Sequence, residues 1–306
     1  MAVRAVRSGG RELDLEGTLF VLGKGGVGKS VISEGLAALA IERGQTTLLV
    51  RIGESLKAPA PKSVSPARSP CGFDAVDLEA RAAMDEYVQL VVRLRPLVKR
   101  IIASEVYRKF FAAAPGLPEL VLLGRIRAYA REVDSDKTLR WKTIVVDCPS
   151  SGHGLLMLET PFAAFRAVSM GPFARLAAKI IDWLKSATKI VLVAIPEEMA
   201  VVEAIEFKDE LIERTGLTPS VAFLNRMRDE SLSPAARLAV TELSAIAGSS
   251  DRVLLDCALR AHRRTRLETF HQRRLSKGLG LSPVLIRELR NCRPAAMAAA
   301  IGERCQ

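Results

Sequence analysis

The chain has 306 residues and a formal net charge of +11, with 49% hydrophobic and 26% charged residues, the balance of a globular fold with room for a sizeable core. No apolar run approaches the ~20 residues that span a bilayer, and the N-terminal MAVRAVRSGG has basic residues but no apolar segment of a secretory signal. Five widely spaced cysteines without a C-x-x-C pair argue against a disulfide scaffold or a structural zinc site and for reduced thiols, so a cytoplasmic location is expected.

Thr18 to Leu22 (TLFVL) is a short apolar run of the kind that forms a buried parallel strand. Gly23-Lys24-Gly25-Gly26-Val27-Gly28-Lys29-Ser30 follows and fits the phosphate-loop pattern G-x-x-x-x-G-K-[ST] without a mismatch. After it, Val31, Ile32, Leu36, Leu39 and Ala40 fall at helical spacing. Strand, glycine loop and helix are the context this motif needs. Gly25, Gly26 and Gly28 let backbone N–H groups turn toward an anion, and the helix N-terminus adds unpaired donors and partial positive charge. Backbone from Gly25 through Val27, Gly28, Lys29 and Ser30 to Val31 is expected to line ATP. Lys29 would reach the β- and γ-phosphates, and the Ser30 hydroxyl would hold Mg²⁺.

Thr46 to Ile52 (TTLLVRI) reads as the second strand, and the proline- and serine-rich stretch from Gly53 to Pro70 as a loop. From Asp77 to about Asp134 the pattern is helical, with one stripe of Met84, Val88, Val91, Leu94 and Val98 and another of Leu120, Leu123, Ile126, Tyr129 and Ala130. Residues 77–134 are therefore expected as a helical insertion within one domain spanning 1–306. Trp141 to Asp147 is a strand ending in a carboxylate. Pro161 to Leu184 reads as helix, Lys189 to Ile195 as strand, Glu197 to Arg214 as helix stopped by Gly216, and Ser220 to Asn225 as strand. Ser233-Pro234 opens a further helix, and residues 250–306 read as mostly helical with a break at Gly278–Pro283. The alternation implies an α/β fold: a mainly parallel sheet flanked by helices. Seven Lys/Arg between Arg260 and Lys277 face one acid, Glu268. This is a solvated helix face or a docking surface for an acidic partner or anionic membrane. Nucleic acid is not expected, because Phe270 alone is aromatic in this stretch and base stacking needs interleaved aromatic residues.

A phosphate loop needs a carboxylate at the end of a neighbouring strand to hold Mg²⁺, and Asp147 stands there. It is followed by Cys148-Pro149-Ser150-Ser151-Gly152-His153-Gly154-Leu155, then Leu158 and Pro161. This segment resembles the D-x-P-[ST]-[ST]-G-H-x-L…P switch of the arsenite-pump and tail-anchored-protein-targeting ATPase family. Ala114-Pro115-Gly116 with Glu119 resembles the family's A-P-G-x-x-E. Ile195-Pro196-Glu197 with Glu203 resembles its V-x-x-P-E…E, and Phe223-Leu224-Asn225-Arg226 its adenine-recognising strand end. The resemblance implies that Gly152 offers an N–H near the γ-phosphate, that Pro196 and Asn225 recognise adenine, and that His153 orients the switch. Lys24, in the deviant form G-K-G-G-V-G-K-[ST], resembles the lysine that reaches across a dimer to the partner's nucleotide. A nucleotide-sandwich dimer is implied, with a second copy or a related ATPase subunit.

The pattern fails where the family places a water-positioning aspartate. Gly53 stands there, with Glu54 next to it, and a one-residue slip at a strand end turns a side chain elsewhere. Val31 also replaces a second hydroxyl after the loop lysine. Losing a water-orienting group costs ~10²–10⁴ in rate, about 3–5 kcal/mol of barrier. Two expectations follow: a subunit that binds MgATP, hydrolyses it slowly alone and pairs with a related ATPase, or a homodimeric ATPase in which Glu54 substitutes. With Lys24, Lys29 and Asp147, Glu54 completes the catalytic candidates. The cysteines do not match an arsenite site, so the expected client is a protein, membrane-associated clients and peripheral membrane contact among the options. A partition-type regulator shares the loop and Lys24 and is the alternative; the switch and A-P-G-x-x-E matches speak against it.

Overall fold

The computed structural model describes residues 13–53, 65–91, 100, 102, 104–105, 107, 114, 116–167, 170–228, 232–246, 248–289 and 292–305. The strand Gly17–Leu22 (β1) buries side chains on both sides: Phe20 and Leu22 enter one core cluster, Leu19 and Val21 another. Only a central strand covered on both faces does this. The other strands are Thr47–Ile52 (β2), Ala67–Arg68 (β3), Asp74–Leu78 (β4), Thr143–Asp147 (β5), Thr188–Ala194 (β6), Pro219–Met227 (β7) and Val284–Arg287 (β8). They form one eight-stranded sheet in the order β3-β4-β2-β5-β1-β6-β7-β8. Every pairing is parallel except β3 with β4. The α/β architecture is therefore as the alternating pattern implies.

Among the described residues the helices are Lys29–Glu42 (α1), Ala80–Val91 (α2), Leu117–Tyr129 (α3), Ser151–Ala167 (α4), Pro172–Ala187 (α5), Glu198–Thr215 (α6), Pro234–Ile246 (α7), Ser249–Leu279 (α8) and Pro294–Gly302 (α9). α1 and α9 cover one face of the sheet. They approach so closely that a Cβ on Gly35 would lie 2.3 Å from Met297 Cγ. The other face carries α2 to α6, with Trp183 set edge-on to Phe20 at 5.8 Å between ring centroids. The register pairs Val21 with Asp147, so the loop after β1 and the carboxylate of β5 meet at the C-terminal edge of the sheet. In an open parallel sheet that edge is where ligands bind. No helix among the described residues is long and apolar enough to cross a membrane.

Four local readings change. Asp77 and Leu78 end strand β4 rather than open a helix, which begins at Ala80. DAVDL carries two aspartates, and that masks its strand character. One of them, Asp74, is satisfied by Trp141 Nε1–H at 2.9 Å, while Val76 and Leu78 enter the core. Ala67–Arg68, within the expected loop, pair with β4. The helix expected from Pro161 begins at Ser151 and is interrupted before Pro172. Val284–Arg287 form a sheet-edge strand inside the stretch read as mostly helical. Leu94, Val98, Pro115 and Glu54 lie outside the described residues.

Candidate functional site

The loop after β1 is shaped by its glycines. Gly26 and Gly28 take φ of +84° and +94°, and Gly28 caps α1 without a side-chain hydrogen bond. A Cβ on Gly23 would lie 2.3 Å from Val193 O. Around Gly25 and Gly26 the reverse holds: nothing lies within 4 Å of a Cβ position, so their backbone faces open space. The first-turn N–H groups of α1 have no intrahelical acceptor. An open backbone concavity at a helix N-terminus, flanked by lysine, is the geometry of an anion cradle.

Lys29 Nζ donates to Lys24 O at 3.0 Å, folding the side chain over the loop. Ser30 lies close enough to the Asp147 carboxylate to favour its ionised form, while Asp147 Oδ1 is buried with no hydrogen-bond partner. Burial pushes the Asp147 carboxyl above the usual carboxylate range, against the opposing pull of Ser30, Lys29 and Arg51. A hydroxyl and an orphaned carboxylate oxygen at the mouth of an anion cradle are the hard oxygen donors that Mg²⁺ takes. Ser30 and Asp147 thus fit a divalent cation shared with a bound phosphate.

Lys24 Nζ pairs with Glu203 Oε1 of α6 at 2.5 Å, both side chains partly exposed. Gly152 lies in the first turn of α4 with open space around its Cβ position, and Gly154 N bonds Ser150 O at 2.9 Å. The segment between Asp147 and α4 is anchored by Cys148, whose buried thiol is pushed well up by desolvation. His153 is exposed and lines a cavity of about 240 Å³ with Glu119, Arg81, Pro149 and Met157. That cavity joins the switch-like segment to α3, and Glu119 Oε2 is buried without a hydrogen-bond partner. Pro196 borders a second cavity, of about 350 Å³, with Glu197, Arg226, Arg228 and His271. Asn225 is 5% exposed and sits beneath the phosphate loop, its Nδ2 donating to Val27 O at 2.9 Å.

Gly53 follows β2 directly, its N–H bonded to Leu78 O at 3.1 Å. A Cβ there would make only an ordinary contact, 3.5 Å from Glu79 Cγ. The backbone therefore does not require glycine at this position. Two site residues went unnoticed in the sequence. Arg51, the one charge in TTLLVRI, binds Glu34 at 2.9 Å and lies near enough to Asp147 to favour its ionised form. Glu79 is 6% exposed beside Gly53, hidden because β4 was hidden. The five cysteines are free, Cys148 and Cys305 buried and Cys71, Cys257 and Cys292 exposed.

A family profile described as anion-transporting ATPase matches residues 17–216. The ATPase BagA of Mycobacterium tuberculosis is 29% identical over 211 residues, which cover 63% of this chain and 60% of that protein. A provisional arsenical pump-driving ATPase of Halobacterium salinarum is 25% identical over 239 residues, 69% of this chain and 36% of that one. The aligned region thus spans less than two thirds of the length of either relative.

Proposed function

The chain belongs to the anion-transporting ATPase family, and from that premise we propose that it is a nucleotide-switched subunit that binds MgATP and turns it over slowly by itself. One observation carries the binding half: the open glycine cradle at the N-terminus of α1 faces Ser30 and an unpartnered Asp147 oxygen. ATP phosphates would lie on the N–H groups of Gly25 to Val31, with Lys29 lifting from Lys24 O to the β- and γ-phosphates. Mg²⁺ held by Ser30 and Asp147 would supply charge neutralisation on the phosphoryl oxygens.

The slow-turnover half rests on Gly53. Glycine stands just after β2 where the family pattern has a water-orienting aspartate, so this position removes none of the few kcal/mol that such a group takes off the barrier. We read the protein as working in a dimer, with a copy of itself or with a related ATPase that carries the missing aspartate. Lys24 would then cross to the partner's phosphates, exchanging Glu203 for them. α2 and α3, which share a cavity with the switch-like segment through Arg81, Glu119 and His153, would pass the nucleotide state to a protein client.

Single-turnover hydrolysis by the purified chain, with binding measured in the same sample and Lys29→Ala as control, tests both halves. Tight Mg²⁺-dependent binding with turnover roughly 10²-fold or more below an ordinary ATPase is expected. Ordinary turnover by the isolated chain would refute the slow-subunit reading, and absent binding would refute the whole.

A further inference from the structure

Asn225 sits where β7 loses its regularity. The pairing of β7 with β8 shifts register between Leu224 and Met227, and Arg226 takes φ +59°, left-handed backbone in a residue that is not glycine. Such a bulge re-aims a side chain, and strain of this kind persists only where surrounding contacts hold it. The side chain it re-aims crosses over β6 to the loop after β1. Asn225 Nδ2 donates to Val27 O at 2.9 Å, and Arg226 N–H donates to Asn225 Oδ1 at 2.9 Å. A carbonyl on one side and an N–H on the other fix the amide's orientation. Both Val27 and Asn225 are buried, at 1% and 5% exposure. The fit extends to Gly28, where a Cβ would fall 2.4 Å from Asn225 Nδ2.

We infer that Asn225 is a positioning residue for the phosphate loop: it braces Val27 and Gly28 in the phosphate-accepting shape before any ligand arrives. The inference rests on the phosphate-binding reading above. It differs from base recognition in a definite way, because a brace acts on the triphosphate whatever is attached to it. The bulge supplies the reach, since β7 is two strands away from β1. The buried bond supplies the rigidity, since removing its donor leaves Val27 O without its partner.

The test compares ATP with inorganic tripolyphosphate, each with Mg²⁺, on the full chain and on Asn225→Ala. Affinity for both ligands is expected to fall by a similar factor, roughly ten-fold. In ligand-free protein, amide exchange should accelerate in the peptide covering residues 23–30 more than elsewhere. Loss for ATP with tripolyphosphate unchanged would overturn the brace in favour of base contact. Loss for neither ligand would overturn it as well. Asn225→Ser gives the same comparison if the alanine variant does not fold, and a lowered melting temperature with both affinities intact would mark a purely structural residue and overturn the inference. Wild-type chain that binds neither ligand would instead defeat the phosphate-binding reading itself.

Discussion

Replacing Asp147 by asparagine separates the cost of the site from its use. The carboxylate is largely buried with Oδ1 unpaired, and desolvation holds its pKa above the usual range despite Ser30, Lys29 and Arg51. Above that raised value the folded chain carries a charge it tolerates poorly. Between the unfolded and folded pKa values the native state binds more protons than the unfolded one, so this group's contribution to stability falls as pH rises. The asparagine side chain has nearly the same shape without the charge. A ten-fold difference in proton affinity between the folded and unfolded carboxyl corresponds to about 1.4 kcal/mol. A gain in stability is therefore expected for Asp147→Asn at pH ~7.5, each 1 kcal/mol of it raising Tm by about 1.6 °C in a chain of 306 residues. The gain should shrink as pH is lowered through the Asp147 pKa. Thermal unfolding in EDTA, from about pH 5 to about pH 8, measures it. With nucleotide present the order reverses: Mg²⁺ should add to the ATP-induced rise in Tm of the wild type and add nothing to that of the variant. An asparagine variant less stable than wild type without ligand, or one that keeps the Mg²⁺ increment, would refute the reasoning.

Glu203→Ala should free Lys24, whose exposed ion pair is worth at most about 1 kcal/mol; the ATP-dependent dimer fraction, read by sedimentation, should rise by up to about five-fold, and an unchanged or lower fraction counts against a latch. Gly35→Leu should drive α9 off α1, because even a Cβ meets Met297 at 2.3 Å. Overpacking of this kind costs on the order of 1–3 kcal/mol, and a Tm unchanged within about a degree would contradict the observed approach of the two helices.

What the sequence disclosed and what it hid divide along physical lines. β1, β5 and β6 are covered on both faces, so they read as unbroken apolar runs, and the loop between β1 and α1 has a fixed glycine spacing that sterics impose. β4 stayed hidden because an edge-side strand can keep aspartates: Asp77 is exposed, and Asp74 is bonded by Trp141, a partner 67 residues away. β8 stayed hidden because four residues give too short a period to separate strand from helix. Asn225 could be singled out through the resemblance of Phe223-Leu224-Asn225-Arg226 to the family's strand end. Its bond to Val27 could not, since it depends on a bulge and on strand order, neither of which a local pattern carries.

Gly53 bears on how the site should be understood. A glycine at a strand end is commonly a backbone requirement, and then its presence says little about chemistry. Gly23 and Gly28 are of that kind: side chains there would strike Val193 O or Asn225. Gly53 is not. Its φ is not left-handed, and a Cβ would meet Glu79 Cγ at an ordinary 3.5 Å. The fold accepts a Cβ there, so glycine is not forced by contact at that atom. The groups that would hold phosphate and cation remain in place around it, and Arg51, two residues earlier on the same strand, is tied to Glu34 beside them. On the proposed reading, a site that keeps its binding groups and has glycine at this position would hold a triphosphate longer than it takes to arrive. In such a subunit the lifetime of the bound state would be the signal, and a partner bringing a carboxylate would set when it ends.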